Sequence, residues 1–107
     1  MHFQVYQVSL EGIRSLRQPL VKIRTCDPKL FGHIREAASS VPMNIAEGHR
    51  RSGKDRPYHF CVAAGSAAEV RSALEVLEAW GDLEARENAP ALKLLDRVLA
   101  MLWKLTK

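Results

Sequence analysis

Apolar residues recur at helical spacing along almost the whole chain. Between about Arg56 and Gly81, the series Phe60, Ala63, Ala67, Val70, Leu74 and Leu77 steps by three and four. That rhythm holds one face of an α-helix toward a core. A second series, Val62, Ser66, Glu69, Ala73, Val76 and Trp80, runs beside it, while Arg71, Glu75, Glu78 and Asp82 fall on the side left for water. Asp55 is placed to cap the start, Pro57 suits the first turn, and Gly81 suits a left-handed C-cap. From about residue 89 onward, Ala91, Leu95, Val98, Leu102 and Leu105 repeat the pattern, with Pro90 in the first turn. Leu92, Leu94, Leu99, Met101 and Trp103 widen that apolar surface beyond what a small bundle buries, which points to contact between subunits.

The first half of the chain reads less regularly. Phe3, Tyr6, Leu10, Ile13, Leu16, Leu20 and Ile23 are spaced for one face, but Pro19 removes a backbone donor and predicts a kink. A second helix follows Asp27 as cap and Pro28 as first residue. Leu30, Ile34, Ala37, Ala38, Val41, Ile45 and Ala46 form its inner face, with a bend expected at Pro42 and an end at Gly48. Four amphipathic helices joined by short turns predict an all-α chain, an antiparallel up-and-down four-helix bundle forming a single domain over residues 1–107. Ala37, Ala38, Ala63, Ala64, Gly65, Ala67 and Ala68 place the closest helix approach between the second and third helices.

Composition narrows the class further. A chain of 107 residues with 47% hydrophobic and 26% charged residues is long enough for one core and too apolar for disorder. Cys26 and Cys61 have no metal-ligand spacing and read as reduced, partly buried thiols. No secretory signal and no membrane-length apolar run is present, so a cytoplasmic chain without a membrane partner is expected. The net charge of +4 is uneven. Residues 1–56 hold ten basic and five acidic residues, or +5; residues 57–107 hold six and seven, or −1. A basic first half attracts anionic partners.

Much of that excess is assigned to the turn after Gly48, where Arg50, Arg51, Lys54 and Arg56 accompany His49, Ser52 and Gly53. Guanidinium and ammonium groups in such a turn can grip phosphate oxygens without reading bases. The alternative is a solvated turn whose arginines pair with acidic residues of a neighbouring subunit. No aromatic residues interleave the run, so base stacking is not predicted. Asn44, Glu47, Ser66 and Glu69 are the polar members of apolar faces. A Glu47–Glu69 carboxylate pair would suit acid–base work or a metal, but the expected role is hydrogen bonding between helices. His2, His33, His49 and His59 form no i,i+4 pair, and no nucleophile has a recognisable base nearby. No catalytic residue, metal or cofactor is expected. Trp80 and Trp103 read as packing groups, Trp80 in a contact between subunits.

The segments Ser40-Val41-Pro42-Met43-Asn44-Ile45-Ala46-Glu47-Gly48 and Ala64-Gly65-Ser66-Ala67-Ala68-Glu69-Val70 resemble the paired motifs of the 23S ribosomal RNA intervening-sequence proteins. The resemblance extends from roughly Leu16 to Leu105. It implies an up-and-down bundle assembled as a ring of five subunits, and it marks Asn44, Glu47, Gly48, Gly65, Ser66 and Glu69 as the family's structural motif. Related basic bundles serve reverse transcriptases as accessory proteins and bind nucleic acid, an analogy that rests on fold. Two positions depart from the family pattern. Glu36 stands where an arginine is common and His33 where a glutamine is common, and the first subtracts positive charge from a phosphate-facing surface. The resulting expectation is a non-catalytic oligomer that binds RNA or DNA without sequence preference through the basic turn. The alternative is a ring-forming scaffold for protein partners without nucleic acid.

Overall fold

The computed structural model describes residues 3–106, which form helices and no strand. The elements are α1 (Gln4–Leu16), α2 (Ile23–Cys26), α3 (Pro28–Arg50), α4 (Asp55–Trp80) and α5 (Ala85–Leu105). The molecule is elongated, 43 × 22 × 22 Å. The α3–α4 pair is the most extensive helix contact, followed by α4–α5 and α1–α5, with α1–α3 and α2–α3 completing the set. Contacts on α4 fall in residue number as those on α3 rise, from Ser40 with Ser66 to Asn44 with His59, so these two helices run in opposite directions.

Local chemistry explains the boundaries. Asp27 Oδ1 accepts the Leu30 amide at 3.1 Å, and Pro28 occupies the first helical position, as the sequence predicts for the start of α3. Gly81 closes α4 at φ 83°, a left-handed conformation that suits glycine, and the Asp82 amide reaches back to the Leu77 carbonyl at 2.9 Å. Three expectations need correction. Asp55 is the first residue of α4, not its cap: Lys54 holds the cap position and makes no side-chain cap bond. The last helix starts at Ala85 rather than near residue 89, because the Glu87 carboxylate accepts the Glu84 amide at 2.9 Å and closes a capping box. Pro19 produces more than a kink. α1 ends at Leu16, and turns over residues 17–22 lead into the single-turn α2.

The core is one cluster drawn from every element. Phe60, Ala63, Ala67, Val70, Leu74 and Leu77 of α4 are all fully buried, so that stripe is the one the sequence marks. Ile34, Ala37, Ala38, Val41 and Ile45 of α3 are buried with it, while Leu30 and Ala46 are half-buried. α3 runs on past Gly48 to Arg50 with Pro42 buried inside it. On α1 the buried stripe is Val5, Val8, Ser9, Gly12 and Leu16. Of the predicted series, Leu16, Leu20 and Ile23 are buried, while Phe3, Tyr6, Leu10 and Ile13 lie half-buried beside the stripe, because the larger side chains cover the rim while smaller ones fit the closest approach. Gly65 and Ala68 face outward rather than into the α3–α4 seam. Both cysteines are exposed, not partly buried.

Candidate nucleic-acid interface

Four residues, Arg51–Lys54, connect α3 to α4, and the basic side chains of this elbow divide into two kinds. Arg56 is turned inward. Its guanidinium donates to the His49 carbonyl at 3.1 Å and the Gly48 carbonyl at 3.4 Å, and it lies over the Phe60 ring, 5.2 Å from the centroid. It therefore satisfies the last carbonyls of α3, where a cation also meets the negative end of the helix dipole. Arg51 Nε donates to Glu47 Oε2 at 2.7 Å, with Asp55 a further 3.9 Å contact. Arg50 approaches the same Glu47 oxygen only to 3.8 Å and its side chain is 74% exposed. Lys54 is exposed and its side chain has no partner among the described residues. Of the four predicted contact residues, Arg50 and Lys54 thus point into solvent, Arg51 is shared with Glu47, and Arg56 belongs to the fold. Within the chain, the acidic partners of Arg50 and Arg51 are Glu47 and Asp55.

Electrostatics follow the geometry. The bond from Arg51 holds the Glu47 carboxyl below its ordinary value of 4.5, burial opposing and Arg50, Arg51 and His59 assisting by charge. The same bond raises the Arg51 guanidinium further above its already high value. Rings brace the elbow from below: Phe3 packs on His49 with centroids 4.6 Å apart and on Phe60 at 6.0 Å.

The motif residues separate in the same way. Asn44, Ser66 and their neighbours form a polar seam between α3 and α4. Asn44 Nδ2 donates to the Ser40 carbonyl and to Ser40 Oγ, each at 3.0 Å. Its Oδ1 faces His59 Nδ1 at 3.1 Å, and Ser40 Oγ lies 2.8 Å from Ser66 Oγ. Ser40 and His59 are the members that periodicity alone does not mark. Glu47 and Glu69 are not a pair: Glu47 serves the elbow, while Glu69 is exposed and lines a shallow groove with Leu30, His33, Ile34, Ser72 and Val76. Along antiparallel helices Glu69 lies opposite the middle of α3, about ten residues and therefore about 15 Å from Glu47. Gly48 is buried against Phe60, and Gly65 is open to solvent. His33 and His49 are exposed, and His2 lies outside the described residues. Among the described residues no group of three or more His, Cys, Asp or Glu side chains could hold a metal ion, and no helix is long and apolar enough to cross a membrane.

A second basic region went unmarked. Between Arg14 and Arg35 the sequence holds six basic residues and one acidic residue, a larger excess than the elbow's. Spread over a helix end, an irregular connection and a helix start, these residues do not form a run, which is why charge density along the sequence understates them.

An all-helical chain with two basic regions and a polar seam at Ser40–Ser66 defines the class. The sequence model of the family described as 23S rRNA-intervening sequence protein matches residues 2–104, and the chain belongs to that family. A crystal structure of a protein of unknown function from the S23 ribosomal protein family of Bacteroides thetaiotaomicron is similar in fold. It superposes with a TM-score of 0.82, covering 96% of this chain and 98% of that one at 19% identity. No curated protein matches the sequence.

Proposed function

We propose that this chain is a non-catalytic, self-assembling, antiparallel up-and-down four-helix bundle that binds nucleic acid without sequence preference through the α3–α4 elbow. The observation that carries the binding half is the pair Arg50 and Lys54, two cations held outward at the tip of a braced elbow. Neither is positioned to read a base edge, so the contact is to phosphate. Two contacts per chain are weak alone. Five copies in a ring, the assembly that the family resemblance implies, would bind by avidity. Exposed Cys26 and Cys61 persist as thiols in a reducing cytoplasm, the compartment that fits this reading.

Self-assembly is supported by the outer face of α4. Tyr58, Cys61, Gly65, Ala68, Ser72, Val76 and Ala79 lie on one side at helical spacing, all exposed and none charged. Trp80 extends this surface at 76% exposure. Glu69 also projects from this side, and a face opposite the core-facing stripe with so little charge is what a helix packed on both sides carries. The same face favours the second reading, a scaffold that assembles without nucleic acid. Binding of fluorescent single-stranded RNA and of duplex DNA, titrated with salt, separates the two. On duplex, log affinity should fall against log salt with a slope of about −0.9 per phosphate contacted. Arg50→Ala with Lys54→Ala should weaken binding equally across sequences; undiminished binding would remove the elbow from the account, and absence of binding by the parent chain would leave the scaffold.

A further inference from the structure

The irregular connection between α1 and α3 leaves a groove of about 340 Å³ against α3. Its walls are aliphatic and aromatic: Ile13, Leu16, Leu20, Val21, Phe31 and Ile34. Three arginines line it as well, one from each side: Arg17 at the end of α1, Arg24 in α2 and Arg35 in α3. None of their side chains has a hydrogen-bond or ion-pair partner among the described residues, and no carboxylate lines the groove. Arg14, Lys29, Lys54, Lys93, Arg97 and Lys104 are also unpaired among the described residues, but none of them lines this groove, and several other cations are held. Arg51 holds Glu47, Arg71 holds Asp96 at 2.9 Å, and Arg86 holds Glu84 at 2.6 Å. Lys22, within the same connection, pairs with Glu87 of α5 at 3.2 Å.

Like charges gathered beside an apolar surface repel one another, and an anion placed among them recovers that free energy. The groove has room for about eleven times the ~30 Å³ that one water takes up in the liquid, or roughly ten non-hydrogen atoms. Ser39 is the single uncharged polar side chain in the lining, so there is no set of donors and acceptors to recognise a base edge. We propose that this groove binds a small amphiphilic anion: an oxyanion head, phosphate or carboxylate, held by the guanidiniums of Arg17, Arg24 and Arg35, with a hydrocarbon tail on the Ile13–Leu16–Phe31–Ile34 floor. Guanidinium forks bind both heads with paired hydrogen bonds. The site is independent of the elbow, since Arg35 and Arg50 are fifteen residues, about 22 Å, apart along α3.

Calorimetric titration of the purified protein tests it, with decyl phosphate, decanoate, decanol, inorganic phosphate and an oligouridylate as probes, all below micelle-forming concentrations. Decyl phosphate, decanoate or both should bind one per chain, at least about tenfold more tightly than decanol or inorganic phosphate, a margin of about 1.4 kcal/mol. The arm that binds identifies the head group. Arg24→Ala with Arg35→Ala should cost at least about tenfold in affinity, the loss expected for charge-assisted bonds. Val21→Glu, an exposed position that brings a carboxylate to the rim, should do the same with helicity unchanged. Arg50→Ala should leave binding as it is. Equal affinity for decanol, full affinity in the arginine variants, or competitive displacement by oligouridylate at lower concentration than decyl phosphate would overturn the proposal.

Discussion

Gly48 on α3 and Phe60 on α4 meet with no room for a side chain between them. A Cβ on Gly48 would stand 2.7 and 2.9 Å from two ring carbons of Phe60 and 3.2 Å from the Arg56 carbonyl. Phe60 is fully buried and held by Phe3 and Arg56, so the ring cannot swing away. Gly48→Ala should therefore destabilise the fold by about 1–3 kcal/mol despite alanine's better helix propensity. Urea unfolding followed by circular dichroism measures it, and an unchanged or higher midpoint would show that the elbow gives way easily.

The seam between α3 and α4 fixes a proton. Asn44 donates its amide hydrogens to Ser40, so its Oδ1 is the atom left facing His59, and His59 Nδ1 must donate. Nitrogen chemical shifts of the imidazole at neutral pH should show Nδ1 protonated. Asn44→Ala should release that preference and cost about 0.5–1.5 kcal/mol for the lost bonds. An Nε2-protonated ring in the parent chain would mean that the seam is arranged differently.

Burial of large side chains was the most legible property. Every member of the α4 stripe from Phe60 to Leu77 is buried, and Asp27 and Gly81 bound their helices as their chemistry requires. On α1 the predicted series holds at Leu16 and fails at Phe3, Tyr6, Leu10 and Ile13, which are bulkier than the buried Val5, Val8 and Gly12. At a close crossing, size decides which residues face in. The early start of α5 depends on Glu84 and Glu87, two charged residues that an apolar-period reading passes over. At the elbow, composition supplied the cations but not their partners. Whether Arg56 reaches phosphate or the Gly48 carbonyl depends on a turn geometry that one-dimensional spacing does not contain.

Acid should loosen the elbow through Glu47. Its carboxyl titrates below 4.5 when folded, chiefly because Arg51 bonds to the charged form. A depressed folded-state value contributes stability that is complete above the unfolded value and is lost as pH falls through the folded one. The loss therefore falls below pH 4.5, not near neutrality. Carboxyl-carbon NMR titration should place Glu47 below the unfolded value in the parent chain and move it upward in Arg51→Ala. No movement in that variant would show that the 2.7 Å contact does not persist in solution.

Gly65 offers the converse of Gly48 and tests the outer face of α4 directly. Nothing lies within 4 Å of a Cβ built there, and the residue is exposed in the middle of a 26-residue helix. In a lone chain, Gly65→Ala should stabilise the helix by about 0.5–1 kcal/mol, since glycine there costs backbone entropy without serving a turn. If a second copy packs on the Cys61–Gly65–Ala68 surface, the same methyl group enters the closest point of that contact and weakens association. Ala68→Glu, also exposed, should dissociate the assembly outright by placing an unpaired charge in it while leaving helicity intact. Light scattering reads the mass and urea unfolding the stability. Gly65→Ala more stable with mass unaltered, together with Ala68→Glu of unaltered mass, would show that this outer face is not where copies of the chain meet.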